Sequence, residues 1–241
     1  MARPLRIEYP GAFYHITARG NRKGDIFFNT DDRFLFNCIL GETISTHNWR
    51  CHAYVQMGNH YHLLIETLDA NLSSGMRDLN GKYSQMLNKK NKTTGHLLQG
   101  RFKAFLIEED DYLLKVARYI DLNPVRAGWV KDPAEWPWSS YKAHVGLEKA
   151  PSWLHSYSIW RRFSNENHLA QEKYLKFVRD GIGLNSPFET AEKGMILGSQ
   201  YFIDHVSMCV DPVIQDKNFP RAERLFSRPS LKLIFNGVGK N

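Results

Sequence analysis

The sequence predicts an α+β fold, an antiparallel sheet with helices packed on one face. Three observations carry that expectation. Residues 50–57 and 60–67 are rich in strand-forming side chains and are joined by Gly58-Asn59, the signature of a hairpin. Residues 31–44 and 71–91 repeat apolar side chains at helical spacing, and each such stretch is bracketed by strand-like runs. The chain is 42% hydrophobic and 13% aromatic, enough for a core, yet no apolar run approaches the roughly 18 residues that cross a bilayer.

Each element has its own warrant. Residues 12–17 read as a first strand through Phe13-Tyr14-His15-Ile16, and residues 18–24 as a basic turn. Asp31-Asp32 cap a helix whose apolar positions are Phe34, Leu35, Cys38, Ile39 and Ile44. After the hairpin, residues 71–91 form a basic helix with a stripe of Leu72, Met76, Leu79, Tyr83, Met86 and Leu87. Thr93-Thr94-Gly95 opens a loop. Residues 101–108 form a fourth strand, with Phe102, Ala104 and Leu106 alternating against Lys103, Phe105 and Ile107. Asp110-Asp111 cap a helix with Leu113, Val116, Ala117 and Ile120 on one side. It ends near Asn123-Pro124, because a proline disfavours helical geometry in the residue before it. The order β-α-β-β-α-β-α is the split βαβ, ferredoxin-like arrangement, whose uncovered face is available to a ligand. It spans about residues 1–145, closed by Trp136-Pro137-Trp138-Ser139-Ser140-Tyr141. Residues 146–180 read as a helical connector. In residues 181–241, Pro187 and Gly198-Ser199 start two short helices, and Arg228-Pro229-Ser230-Leu231 starts another close to the last residue. The expectation there is a partial helix-turn-helix-like region.

Three cysteines, Cys38, Cys51 and Cys209, form no Cys-x-x-Cys pair. This excludes a disulfide scaffold and a cysteine-rich zinc module, and suits a reducing cytoplasm. The first residues lack the apolar stretch of a signal peptide. The net charge of +7 is focused. Residues 77–103 hold seven basic side chains and one acid, Asp78, and residues 1–24 hold five and one. That distribution fits a polyanion-binding surface, and equally a solvated helix face with loop lysines.

Two motifs carry chemistry. In His60-Tyr61-His62, alternation along a strand turns both imidazoles to one face, about 7 Å apart at Cα and placed to share a metal ion. Alone, the pair also reads as two solvent-facing histidines of an open sheet. In Arg118-Tyr119-Ile120-Asp121-Leu122-Asn123-Pro124, Tyr119 and Asn123 lie one helical turn apart on one face. They read as a nucleophile and a ligand, or as a partly buried aromatic and a helix-ending amide.

Taken together, these motifs resemble a family. The histidine pair after Asn59, then Gly100-Arg101-Phe102, then Ala117 through Gly128 (with Tyr-Ile, Asn-Pro-Val-Arg-Ala-Gly) are similar to the REP-associated tyrosine transposases, single-tyrosine HUH transposases. Tyr14-His15-Ile16-Thr17-Ala18-Arg19-Gly20-Asn21 resembles that family's first strand. The resemblance implies a ferredoxin-like domain, Tyr119 as nucleophile, and His60, His62 and Asn123 as ligands of magnesium or manganese. It implies an enzyme that cleaves and rejoins single-stranded or hairpin DNA through a 5′-phosphotyrosine. By ligand softness, imidazole favours manganese over magnesium. The DNA contacts expected are Arg19, Asn21, Arg22, Lys82, Lys89, Lys90, Arg101, Lys103 and Arg126. The family implies a cytoplasmic bacterial protein with no membrane partner, and the wider superfamily admits a homodimer. Two other readings stay open: a noncatalytic nucleic-acid-binding module of the same topology, and a phosphodiesterase that uses water. Arg118 reads as a phosphate contact or an ion pair with Asp111 or Asp121. Glu108, Glu109, Asp110 and Asp111 read as helix N-terminal charges, and His15, His52 and His96 as structural or exposed.

Overall fold

The computed structural model describes residues 7–109, 111–190 and 196–209. Arg3, Arg6, Asp110 and Arg228-Pro229-Ser230-Leu231 lie outside the described residues. The elements follow the expected order: β1 (Ala12–Arg19), α1 (Thr30–Thr46), β2 (Trp49–Gln56), β3 (His60–Thr67), α2 (Leu72–Asn91), β4 (Lys103–Ile107) and α3 (Asp111–Asp121). The sheet order is β2-β3-β1-β4, every neighbour antiparallel. A short β5 (Ile196–Leu197) adds to β4 in parallel and makes the sheet mixed.

The expectation of helices on one face is corrected, since helices cover both. Tyr61, Leu63 and Ile65 of β3 join a core with α1 and α2. Leu64, with Phe13, Ala53 and Val55, joins a second core with α3 and with α7 (Asn167–Arg179). The reason is local. Leu63-Leu64-Ile65 is apolar on both parities, and a strand apolar on both sides must be covered on both. A bulge between Cys51 and Ala53 in β2 switches parity, so Cys51 points to the first core and Ala53 to the second.

The helix starts are also specific. Asn29, not Asp31, caps α1. Its side chain accepts from the Asp32 backbone at 3.1 Å, and the Asp32 carboxylate accepts from the Asn29 backbone at 3.2 Å, a reciprocal pair that satisfies two otherwise orphaned donors. The buried stripe is Phe36, Ile39, Leu40, Thr43 and Ile44, whereas Phe34 and Cys38 are exposed. Thr43 is tolerated in the stripe because its hydroxyl donates to the Ile39 carbonyl at 2.8 Å. The α2 stripe holds as read except Met86, which is exposed. Gly75 lets α2 approach β2: a Cβ there would lie 2.2 Å from Trp49 Cζ2.

Residues 146–180, expected as a helical connector, do more than connect. Tyr174 and Val178 of α7 share the core of α3 with Val116 and Ile120. In the last described part, Pro187–Thr190 is a single 3-10 turn, β5 follows, and α8 (Gln200–Cys209) buries Ile203 and Val206 against the α1–α2 core. The remainder of the helix-turn-helix-like expectation falls on residues 191–195 and 210–241, outside the described residues. Among the described residues no helix is long and apolar enough to cross a membrane.

Candidate active site

The period of two along β3 sends His60 and His62 to the face that α3 covers, together with Leu64. On α3 the buried stripe is Leu113, Val116, Ala117 and Ile120. Tyr119 falls beside that stripe, half-buried, and leans over the strand. The His60 and His62 rings are 5.1 Å apart between centroids and nearly perpendicular. Tyr119 stands edge-on to His62 at 5.9 Å. Three of the four expected site residues are therefore neighbours. Asn123 is buried at the start of α4 (Asn123–Arg126), and its Nδ2 donates to the Tyr119 carbonyl at 3.2 Å. That leaves Oδ1 as its acceptor atom. Among the described residues no group of three or more His, Cys, Asp or Glu side chains is arranged to hold a metal, so a metal here depends on imidazoles and an amide.

The donor set fits such an ion. Asn59 Nδ2 donates to the Lys23 carbonyl at 2.9 Å, which fixes the amide so that Oδ1 accepts from His60 Nδ1 at 2.6 Å. His60 therefore carries its proton on Nδ1 and keeps the Nε2 lone pair for a cation. Burial lowers the His60 pKa to about 4, with the nearby Arg19 charge adding to the effect. Burial also lowers His62 well below the ordinary value, helped by His15 and His60. Both imidazoles are neutral, as a ligand must be.

Two residues of the site were not read from the sequence. The first is His15. Its Nε2 lies 2.8 Å from His62 Nδ1, the two rings stack at 5.0 Å, and burial lowers its pKa to about 3. Its Nδ1 is buried without a partner. In register, Thr17 faces His62 and His15 faces Leu64, so the contact is diagonal across the strand pair. Shared parity with Thr17 and Arg19 was the available signal. The second is Phe188, in the turn after α7. Its ring stacks on His15 at 4.4 Å and lies 4.8 Å from Phe105 and 5.1 Å from Tyr119, roofing the site with an apolar plane. Nothing local to Phe188 announces that placement.

The expected basic residues divide. Arg19 pairs in register with His60, and Lys103 with Thr17, so both are exposed on the site's face. The Arg126 guanidinium lies 5.4 Å over the Tyr119 ring and donates to the Leu184 carbonyl. Beside Tyr119 a cavity of about 140 Å³ is lined by Lys115, Arg118 and Arg126. Asn21 and Arg22 lie in the 3-10 turn Asn21–Lys23, with Arg22 left-handed at φ 54. Arg101 is exposed between α2 and β4, and Lys89 is exposed on α2. Lys82 pairs with Glu42 at 2.7 Å, and Lys90 with the fully buried Asp32 at 2.7 Å.

Other charges have different partners from those expected. Arg118 pairs with neither Asp111 nor Asp121. It donates to the Phe177 carbonyl at 3.3 Å and lies 4.2 Å over the Phe177 ring, tying α3 to α7. Asp121 is fully buried, accepting from Ser140 at 2.7 Å, Tyr174 at 2.8 Å and His144 at 3.1 Å. Glu108 accepts from Ser199, and Glu109 pairs with Arg162 at 2.9 Å, so among the described residues of that acidic run Asp111 alone sits in the first turn of α3.

Residues 9–123 match the family model described as Transposase IS200 like. The matched segment covers β1 to α3 and ends on Asn123. Among solved structures, a REP-associated tyrosine transposase bound to a REP hairpin is similar over 63% of this chain and 89% of its own, at 21% identity and a TM-score of 0.54. That is a likeness of fold, and with the family match it bears out the resemblance carried by the motifs. A tRNA(His) guanylyltransferase from Saccharomyces cerevisiae aligns over 76% of each chain at 10% identity, with a TM-score of 0.37, too low to carry an argument. No curated protein matches the chain.

Proposed function

We propose that this chain, whose residues 9–123 match the IS200-like transposases, is a tyrosine strand transferase that cleaves and rejoins single-stranded or hairpin DNA. The observation that carries the reading is the convergence of Tyr119 from α3 on His62 from β3, at 5.9 Å between rings. His60 and His62 would hold a divalent ion, Mg²⁺ or Mn²⁺, through Nε2, and Asn123 through Oδ1. Such an ion, when bound, polarises a non-bridging phosphoryl oxygen and neutralises charge that repels a nucleophile.

The chain's own residues supply the rest. The Tyr119 oxygen attacks phosphorus as its proton passes to solvent. The Oη–P bond forms and the P–O3′ bond breaks. The strand end leaves as a 3′-OH after taking a proton, and the 5′ side stays as a phosphotyrosine. A later 3′-OH reverses the step and regenerates Tyr119. Arg126 places a positive charge over the Tyr119 ring, where it can attract the phosphate that the tyrosine attacks. Arg19 and Lys103 bind strand phosphates on the same face. The roof of Phe188, Phe105 and His15 limits water at the tyrosine, which favours rejoining over hydrolysis.

The test is direct. A labelled hairpin incubated with protein and manganese is expected to yield an SDS-resistant covalent adduct, and Tyr119→Phe is expected to yield none. An adduct that survives in Tyr119→Phe would refute the assignment. Cleavage without any adduct would assign the reaction to water.

A further inference from the structure

Tyr119 has two neighbourhoods. One is the histidine cluster. The other is the cavity of about 140 Å³ between α3, α4 and residues 181–187, which no histidine and no carboxylate lines. Lys115, Arg118, Tyr119 and Arg126 follow one another at spacings of three, four and seven, so the two helices present three cations and the tyrosine to one hollow. The rest of its wall is uncharged.

The three cations have only neutral partners. Lys115 lies 4.6 Å over the Tyr112 ring, Arg118 donates to the Phe177 carbonyl and Arg126 to the Leu184 carbonyl. Among the described residues none of them forms an ion pair. Burial weighs against the Arg118 charge, and Asp180 acts on it only at longer range. Like charges gathered in a partly desolvated hollow are costly unless an anion joins them. The size says which kind. About 140 Å³ is the share of roughly four or five waters in the liquid, and whole-ligand pockets begin near about 300 Å³. The hollow fits a phosphate group and excludes a base with its sugar.

In the strand-transfer reading, the phosphate under attack lies between Tyr119 and the histidines, so an anion in this hollow is a second one. In-line attack decides which. The entering Oη and the departing O3′ lie on opposite sides of phosphorus, so the leaving strand runs away from the tyrosine. The strand that stays bonded to Tyr119 remains beside α3.

We infer that this cavity is a phosphate pocket, which takes the phosphodiester next to the cleaved one on the strand that stays joined to Tyr119. The inference rests on the strand-transfer reading for the identity of that strand. No bond forms or breaks in the pocket. Lys115 and Arg118 hold the neighbouring phosphate. Arg126, 5.4 Å over the Tyr119 ring, stands between it and the phosphate under attack. The retained strand is then held at two points, which keeps the phosphotyrosine aligned for the incoming 3′-OH.

The probe is a labelled hairpin with a single-stranded extension, in which one phosphodiester at a time is replaced by an uncharged methylphosphonate. Adducts are measured in manganese, and binding by fluorescence anisotropy in EDTA. In the native chain, replacement next to the cleaved bond on the retained side is expected to lower adduct formation about tenfold to a hundredfold, the range of a charge-assisted hydrogen bond. That penalty is expected to shrink in Lys115→Gln, to return in Lys115→Arg, and to vanish in Lys115→Gln combined with Arg126→Gln. Arg118 is left in place because it ties α3 to α7. An equal penalty in the native chain and the double variant overturns the pocket. So does a native chain indifferent to this replacement, or a coupling found only on the leaving strand. If no DNA yields an adduct, the strand-transfer reading falls and binding decides the pocket. A replacement whose cost vanishes in the double variant then supports it, and equal costs at every position overturn it. Should the double variant melt early, the exposed Lys115 decides alone: a smaller penalty in Lys115→Gln than in Lys115→Arg supports the pocket, and equal penalties overturn it.

Discussion

Two buried histidine clusters lie on the α3 side of the sheet, and they are built on opposite principles. In one, His144 donates to Asp121, and the same carboxylate also accepts from Ser140 and Tyr174. Every donor converges on one acceptor, and its oxygens are filled from within. In the other, His15 stacks on His62 and hydrogen-bonds to it, His60 stands edge-on to His62, no carboxylate among the described residues hydrogen-bonds to any of the three, and burial keeps them neutral. A histidine beside a buried carboxylate becomes a brace. A histidine among neutral neighbours keeps a lone pair for an outside cation. The brace begins two residues after Tyr119, so it fixes the helix that presents that tyrosine, while the neutral cluster offers the lone pairs that the proposed function assigns to a cation.

The largest effects follow from removing a ligand. His62→Ala or His60→Ala is expected to abolish manganese binding, read by calorimetry, and to lower adduct formation by at least about a hundredfold, the less buried His60 variant with little change of melting temperature in EDTA and the His62 variant with a fall, since it leaves a cavity and orphans His15. A variant that still binds manganese would show that these histidines only pack. The brace should behave in the reverse way. Asp121→Ala leaves the buried His144 and Tyr174 donors without an acceptor and Ser140 with only the Tyr54 carbonyl at 3.2 Å, and is expected to cost about 3 kcal/mol of stability. Its activity should fall only in proportion to the unfolded fraction. Urea denaturation measures the first, and adduct yield at low temperature measures the second.

That division was partly legible in the sequence. The strand parity of His60 and His62 and the helical spacing of Tyr119 and Asn123 are local properties, and they survive folding. The order of seven elements was legible for the same reason, since period and capping residues are local. What was not legible depends on pairing. His15 becomes part of the site only when β1 docks antiparallel to β3 in one register. Phe188 becomes its roof only when a turn well beyond the end of α3, at Pro187–Thr190, returns to the sheet. Asp121 looked like a surface charge, and it is buried because α5 (Tyr141–His144) and α7 close over it. Helices on both faces were foreshadowed by Leu63-Leu64-Ile65, a run apolar on both parities.

His15 sharpens the comparison on a smaller scale, because it acts through His62. His15→Phe retains the ring stack and removes the hydrogen bond to His62 Nδ1. It is expected to weaken manganese affinity by roughly tenfold, the usual cost of losing a partner that orients a ligand, while the melting temperature in EDTA holds or rises because the unpartnered Nδ1 is gone too. A variant that loses stability and leaves manganese affinity unchanged would make His15 a packing residue.

The smallest effect is a pH dependence, and its sign follows from the neutral cluster. Burial lowers His15 to about 3 and His60 to about 4, against an ordinary histidine value of 6.5. Below pH 6.5 the unfolded chain binds protons that the folded chain refuses. Stability therefore rises with pH from about 4 to 6.5 and levels off above it, at no more than about 1.4 kcal/mol per pH unit for each group. His15→Phe is expected to flatten part of that slope in urea melts run across the acid range. Manganese supplies the independent check. Because both ligand imidazoles are already neutral in the folded chain, the rise in melting temperature on adding manganese should be equal near pH 8 and near pH 6. A rise that halves across that interval would mean that the histidines titrate as exposed groups do, and the distinction between the two clusters would fail.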